Sequence, residues 1–512
     1  MLRQPCGFGE YLTGYTITEI QGISMIRRYA LALILSATLA TTPGCTNQSP
    51  DQVAVLADST GWRELEQVIP MVMDSAGVPG LSIAVTNDSG VAWGRGFGVR
   101  NTETGDPVDT GSVFEAASLS KPVFAYAVLQ LVDQGVIDLD TPLPEYYDYT
   151  DIAHDPQHVQ ITARMALTHS TGLPNWRPGG GQLTIDFAPG SEFSYSGEGF
   201  GYLQRVVMHR TGERLQPLME RLVFEPVGMP NSSYIWEDRF DARVAMPHDG
   251  DGNVTNKRKP QTETGHAAAT LHTTAPDFAR FMTAVMNGTG LSDTMAAAML
   301  TPQIEVDSGV TWGLGIGLQN DEVGRAFWHW GDNTNYKAYT LAYPDRGVGV
   351  VWFANSDHGQ SILNSMLALT TGVDHPAAAW LDYEQYDSPS RIVREALTET
   401  YEAEGVAAAL ARYGDLKATQ PADAFHEDLL NSLGYQLLRS DRIDDAIAVF
   451  RLNIEEYPEA WNPHDSMGEA YAVAGQLELA IEYYERSIQL NPDNTGGKAA
   501  LERIRAQLAQ PS

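Results

Sequence analysis

Apolar and polar positions along the chain fall into a few distinct patterns. GLSIAVTNDSGVAWGRGFGV (80–99) sets apolar, β-branched runs on either side of the turn cluster NDSG, which predicts a β-hairpin. Far downstream, AFWHW (326–330), AYTLAYPDRG (338–347) and VGVVWFAN (348–355) predict three more short strands, with Pro344-Asp345-Arg346-Gly347 as the turn between the last two. Between these strand groups, residues 114–300 read as mainly helical and loop-rich. Within that span, residues 123–132 place Phe124, Val128, Leu131 and Val132 on one helical face. Strands from both ends of a domain, with helices inserted between them, predict an α+β architecture. Its antiparallel sheet, flanked by helices, is closed by the two ends of the domain, expected over 60–375.

Beyond Gly372 the pattern changes. DHPAAAWLDYEQYDSPS (374–390) reads as a linker, assigned to 376–389, and residues 390–512 read as helical, rich in Ala, Leu and Glu. The tail repeats with a 34-residue period. Gly434 and Gly468, Ala446 and Ala480, Phe450 and Tyr484, Ile454 and Ile488, and Pro458 and Pro492 correspond. This order resembles the tetratricopeptide repeat, in which each unit is a helical hairpin that cannot bury its apolar face alone. Two units make too short a stack. Helices near 390–413 and over 498–508, where Leu501, Ile504 and Leu508 share a face, are expected to complete it. A protein or peptide partner is expected at this domain.

At the N-terminus, Arg27 and Arg28 precede YALALILSATLA (29–40). This run is too short for a stable membrane span and fits a signal-peptide core. TTPGC then ends at Cys45 and resembles a bacterial lipobox, with Thr42 at the usual leucine position. The expectation is a signal region over 1–45, with a signal peptide at 25–44. Cys45 is then the lipid-bearing first residue of an exported, membrane-anchored protein. Cleavage after Ala40 with Cys45 unmodified is the alternative. Residues 1–24 resemble no signal and are expected to precede the true start.

Composition narrows the function. The formal net charge is −32 and the basic cluster Lys257-Arg258-Lys259 is short, so a nucleic-acid partner is not expected. Cys6 and Cys45 leave the body of the chain without a cysteine framework. His169, His248, His266 and His272 show no metal-ligand spacing, and neither a metal nor another cofactor is expected.

The chemistry centres on ASLSKP (117–122), where Ser118 stands three positions before Lys121 and Pro122 follows. Pro122 lacks an N–H and fits only the first turn of a helix. The helix over 123–132 therefore starts within a few residues of Ser118. The two side chains face the same way, and the hydroxyl lies near the positive end of the helix dipole. A serine hydroxyl is a weak nucleophile until a base takes its proton. An ordinary lysine is unprotonated in about one molecule in 2,500 at pH 7. To serve as the base, Lys121 must be brought down by about three pKa units, roughly 4 kcal/mol, by burial or a neighbouring cation. The bare spacing equally fits a capping serine followed by a surface lysine.

FEAASLSKP (114–122) is joined by MALTHSTGLPNW (165–176), FAPGSEFSYSGEGFGYL (187–203), PVGMPNSS (226–233) and FWHWGDN (327–333). In this order, over about 65–372, the chain is similar to the serine β-lactamase and penicillin-binding-protein superfamily. Within it, the chain resembles the branch of class C β-lactamases, D-alanyl-D-alanine carboxypeptidases and esterases. The resemblance implies a β-lactamase/transpeptidase-like fold and a serine hydrolase that forms an acyl-enzyme with ester, amide or β-lactam substrates. It implies Ser118 as nucleophile and Lys121 as its proton acceptor or tuning group. Tyr195 would be the proton shuttle, its pKa lowered by the Lys121 cation. The backbone N–H groups of Ser118 and of Asp332, after Gly331, would form the oxyanion hole. Two positions depart from the family pattern. Gly197 stands where many members have asparagine. His329 stands where many have lysine; it is expected as a substrate-side donor that gains charge towards pH 5.5, with a merely packed strand residue as the alternative. The competing reading is an inactive scaffold lipoprotein that binds cell-wall peptides and recruits a partner through its repeats.

Overall fold

The computed structural model describes residues 56, 59–177, 182–255 and 264–509. Cys6, the signal region, Cys45 and the basic cluster 257–259 lie outside the described residues. Among the described residues, no helix is long and apolar enough to cross a membrane.

The hairpin read from NDSG forms as β1 (Gly80–Asn87) and β2 (Gly90–Asn101). Short β3 (Asp106–Pro107) follows, and β4 (Phe114–Glu115) pairs far along the chain with β5 (His272–Thr273). The later strands are β6 (Ile304–Asp307), β7 (Val310–Trp312), β8 (Gly317–Asn320), β9 (Arg325–Asp332), β10 (Lys337–Tyr343) and β11 (Val348–Ala354). Nine of them make one sheet in the order β3-β2-β1-β11-β10-β9-β8-β7-β6. The two ends of the domain close it, with β1 antiparallel to β11 from Leu81↔Ala354 to Asn87↔Val348.

Both faces of the sheet are covered, so its central strands are buried throughout, as β10 and β11 are at every position. Alternate residues enter different cores. On one face Ile83, Leu341, Val350 and Trp352 pack with Leu65, Ile69 and Met73 of α1 (Ser59–Ala76). On the other, Phe327, Ala338, Val351 and Phe353 pack with the helical segment, including α2 (Ser120–Asp133) and α3 (Ala275–Asn287).

Segment 376–389, expected as a linker, is folded onto the sheet. Its short helix α4 (Pro376–Leu381) buries Ala377 and Ala378. Trp380 packs 5.7 Å from Trp330 and 5.9 Å from Trp328, measured between ring centres. Three aromatic or apolar contacts within five residues outweigh the turn-forming composition that suggested a linker.

Among the described residues, the tail forms seven α-helices, from Pro389–Glu404 to Thr495–Leu508, around a core of its own. The 34-residue period has a steric cause. A Cβ at Gly434 would lie 2.3 Å from the Phe450 ring, and one at Gly468 would lie 3.0 Å from the Tyr484 ring. In each hairpin, glycine on the first helix admits the aromatic ring of the second. The first tail helix is tied to the sheet domain by the buried Arg391, whose guanidinium donates to Ala76 O at 3.4 Å and meets His358 Nδ1 at 3.3 Å.

The packing of 376–386 makes a truncation prediction. A chain ended after 388 should keep the melting temperature of the sheet domain within a few degrees. A chain ended after 373 should lose about 10 °C or more, since it gives up several kcal/mol of packing. Equal melting temperatures by differential scanning calorimetry would return 376–388 to the status of a linker.

Candidate active site

The Ser118 turn is built tightly. From 112 to 131, Ser118 is the one position that is not buried. Ala117 before it takes the left-handed conformation (φ 50°), which strains a residue with a Cβ and persists only where surrounding structure imposes it. Here Ser120 Oγ donates to Ala117 O at 2.5 Å and accepts the Leu271 N–H at 3.0 Å, while Tyr234 Oη donates to Ser120 O at 2.6 Å. These bonds turn the Ser118 side chain out of the core.

Lys121 is wholly buried. Its Nζ donates to Ser118 Oγ at 3.0 Å and to Ala268 O at 2.9 Å. Burial brings its pKa down to about 7, because a charged amine loses its hydration there. The sequence required this shift for Lys121 to act as a base.

Tyr195 reaches the same place from the loop before helix Gly197–Thr211. His169, left-handed at φ 55°, shapes that loop. Its Nδ1 accepts the Ser196 N–H at 3.0 Å, its carbonyl accepts the Ser194 N–H, and its ring lies 4.3 Å from the Tyr195 ring. Burial raises the Tyr195 pKa above its ordinary value, opposed by the neighbouring Ser118 hydroxyl. Lys121 Nζ stands over the face of the Tyr195 ring, 4.6 Å from its centre, and its hydrogen bonds go to Ser118 and Ala268. The phenol therefore stays protonated, which corrects the expectation that the Lys121 cation acidifies it.

Gly331 brings β9 against the Ser118 turn. A Cβ there would lie 2.5 Å from Ala116 O, so only glycine allows this approach. Gln360 Nε2 fixes the strand, donating to Gly331 O at 3.1 Å and Ala338 O at 3.0 Å. Asp332 follows, its carboxylate bound by Lys337 Nζ at 2.6 Å and Tyr383 Oη at 2.9 Å.

His329 departs from expectation. It is fully buried, its Nδ1 lies 2.8 Å from Trp330 O, and Nε2 has no partner. Burial, with the nearby Lys121, lowers its pKa to about 3. It gains no charge at pH 5.5. Gly197 also has a steric account, since a Cβ would lie 2.7 Å from Asn175 O and 2.9 Å from the Trp176 ring. The Asn175 carbonyl accepts the Gly197 N–H at 3.0 Å. Trp176, half-exposed and 5.8 Å from Lys121 Nζ, occupies the space a longer side chain would need.

The structure thus gathers Ser118, Lys121, Tyr195, His329 and the Gly331–Asp332 strand end. Sequence reasoning gave no role to His169, Trp176, Lys337, Gln360 or Tyr383. Lys337 carried a readable signal, as a lone charge opening the apolar strand KAYTLAY. Among the described residues, no group of His, Cys, Asp or Glu is arranged to hold a metal.

The depressed Lys121 pKa is a stability statement as well as a chemical one. Between pH 7 and the ordinary lysine value, the unfolded chain holds a proton that the folded chain has released. Wild-type stability therefore rises with pH across that window, and the full burial cost, on the order of 4 kcal/mol, is borne below pH 7. Lys121→Met should be more stable than wild type in denaturant titrations at pH 6.5, by a margin that shrinks at pH 9.5. A margin that does not depend on pH would show that the amine is not depressed.

Comparisons with known proteins identify the family and the fold. The Beta-lactamase family profile matches residues 65–370, and the tetratricopeptide-repeat profile matches 466–494. The chain is 26% identical over 378 residues to esterase EstB of Burkholderia gladioli, covering 62% of this chain and 93% of that one. It is 25% identical over 369 residues to penicillin-binding protein 4 of Amycolatopsis lactamdurans, covering 64% and 94%. The octameric penicillin-binding protein homologue from Pyrococcus abyssi superposes with a TM-score of 0.54 at 24% identity, over 66% of this chain and 81% of that one, and so shares the fold. The chain belongs to the β-lactamase family of serine hydrolase-like proteins and carries a tetratricopeptide repeat behind that domain.

Proposed function

We propose that this protein is a serine hydrolase that works through an acyl-enzyme on Ser118 and favours small neutral esters or amides. The observation that carries the reading is the pairing of a solvent-reaching serine with a buried lysine 3.0 Å away whose pKa is about 7. Half of such lysines are free bases at neutral pH, within hydrogen-bond reach of the proton to be taken. Ser118 Oγ attacks the carbonyl carbon and its proton passes to Lys121 Nζ. The oxyanion is held by the N–H groups of Ser118 and Asp332, each donor worth about 3 kcal/mol. Collapse of the intermediate expels the leaving group, which takes a proton from Tyr195 Oη, and Lys121 returns one to the phenolate. Water then attacks the ester, and the same groups run the steps in reverse.

The preference for neutral substrates rests on charge. Lys337 is engaged by Asp332 and Asp357, and Arg177 by Glu198 and Asp151. Lys121 is buried and His329 stays neutral. A carboxylate on a penicillin or a peptide end finds no uncommitted cation among these. Two relatives named as an esterase and a penicillin-binding protein fit either kind of acyl donor. Export and lipid attachment at Cys45 are part of the proposal on the sequence pattern alone. The repeats are proposed to bind a protein or peptide partner.

A fluorophosphonate should label wild type stoichiometrically on the peptide containing Ser118 and leave Ser118→Ala unmodified. An unlabelled but folded protein would favour the inactive scaffold. For a short-chain ester, kcat/KM should rise with pH and level off above about 7, as Lys121 loses its proton. The ester-to-penicillin ratio of kcat/KM should exceed one and stay flat from pH 5.5 to 8, since His329 does not titrate there. A ratio that falls towards pH 5.5 would restore His329 as a charge-sensing group.

Cys45→Ser should move the expressed protein from the membrane fraction to the soluble fraction, with a changed processed mass. Unchanged membrane association would remove the anchor from the proposal.

A further inference from the structure

Asp332 is an awkward residue for its place. Its backbone N–H is one of the two proposed oxyanion donors, so negative charge develops close to a residue that carries negative charge of its own. A free carboxylate there would oppose the transition state that its own N–H stabilises. The structure binds both carboxylate oxygens. Oδ1 accepts from Lys337 Nζ at 2.6 Å and from the Thr334 N–H at 3.1 Å. Oδ2 accepts from Tyr383 Oη at 2.9 Å. Lys337 is almost fully buried and supplies the opposing charge, whereas the Asp332 carboxylate is about one-third exposed and depends on its partners to keep one orientation.

Tyr383 is delivered by the segment folded onto the sheet. Helix α4 docks through Trp380, which also lies 6.1 Å from Phe193 on the Tyr195 loop. At the end of α4, Asp382 adopts the left-handed conformation (φ 50°) and its N–H bonds to Ala378 O at 3.2 Å. This turn redirects the chain so that the next residue faces β9. Three residues on, the Tyr386 N–H donates to Ser361 O at 3.0 Å. The tyrosine is thus held on both sides by bonds that do not involve Asp332, and its hydroxyl is a fixed donor.

We propose that Tyr383 is a positioning residue for the reaction: acting through the Asp332 side chain, it holds that carboxylate away from the developing oxyanion and keeps the strand end in register with the nucleophile. The proposal rests on the reading of the Asp332 N–H as an oxyanion donor. Lys337 balances the charge of Asp332 and Tyr383 fixes its direction, so the two act on different properties of one carboxylate.

The test is a double-mutant cycle on the full-length protein with a short-chain neutral ester. Tyr383→Phe keeps the ring and removes only the donor. It should lower kcat about tenfold, in keeping with the loss of a hydrogen bond to a charged group, and leave KM within twofold. In an Asp332→Asn background there is no charge to direct, and the same substitution should change kcat by less than twofold. An equal loss in both backgrounds, a loss confined to KM, or no loss in wild type would each overturn the proposal. A melting temperature for Tyr383→Phe several degrees below wild type, together with an equal loss in both backgrounds, would assign the tyrosine to stability alone. Fluorophosphonate labelling of the four proteins separates the two levels. Modification at Ser118 in all four with no coupling between the substitutions overturns only the role of Tyr383, whereas no modification at Ser118 overturns the acyl-enzyme reading and this proposal with it.

Discussion

A lysine amine in a fully buried place is held there against the loss of its hydration, and most of the site can be understood as what that burial requires. Among the described residues, Nζ has two acceptors, Ser118 Oγ and Ala268 O, and neither carries charge. The amine therefore gives up its proton near neutral pH. Paired with a carboxylate, the same amine would keep its proton and could not accept another from serine. The nearby histidines obey the same logic. His169 and His329 are buried with lowered pKa values, each lowered further by Lys121. Neutral imidazoles let the pocket hold nitrogen atoms near Lys121 without adding to its charge.

That pocket exists only because separate parts of the chain meet at close range. The Ser118 turn comes from the start of α2, Tyr195 from a loop shaped by His169, and the Gly331–Asp332 strand end from β9. The approach of β9 depends on Gly331, and the turn depends on an alanine held at positive φ by three hydrogen bonds. Strain at Ala117 is sustained by a core that is buried on every side except at Ser118. The sheet that carries β9 is closed by β1 against β11, which places the first and last strands of the domain side by side behind the site.

The parts of this arrangement that show in the sequence have a local periodic cause. Hairpin β1–β2, strands β9 to β11 and helix α2 follow from alternation, turn clusters and a helical stripe. The 34-residue repeat shows because Gly434 and Gly468 must each clear an aromatic ring, which forces the same residues to recur. The spacing of Ser118 and Lys121 predicted that they face the same way; the structure sets Ser118 in a short 3₁₀ turn before α2 and brings Lys121 Nζ to its Oγ. Strands β6 to β8 escaped notice because each is only three or four residues long, too short for alternation to register. For His329 the sequence left donor and packed strand residue both open because strand position does not reveal depth; its charge state is set by residues far away in sequence. Segment 376–389 looked like a linker because its composition favours turns, and its docking rests on Trp380 and Tyr383 meeting β9, which no local pattern records.

That segment changes how the two halves of the protein relate. From Trp380 to Arg391 the chain touches the aromatic layer beside Tyr195, the carboxylate next to the oxyanion strand, the loop at Ser361, and finally Ala76 O and His358. Arg391 belongs to the first tail helix, yet its side chain is buried against the sheet domain. A flexible tether would leave the repeats free to turn without consequence for the site. Here, seven residues separate a hydroxyl bound to Asp332 from a buried guanidinium on the tail, and both ends are anchored in the same domain. Arg394 of the same helix also pairs with Glu384, the residue after Tyr383, so the first tail helix and the segment that carries the tyrosine are joined side by side.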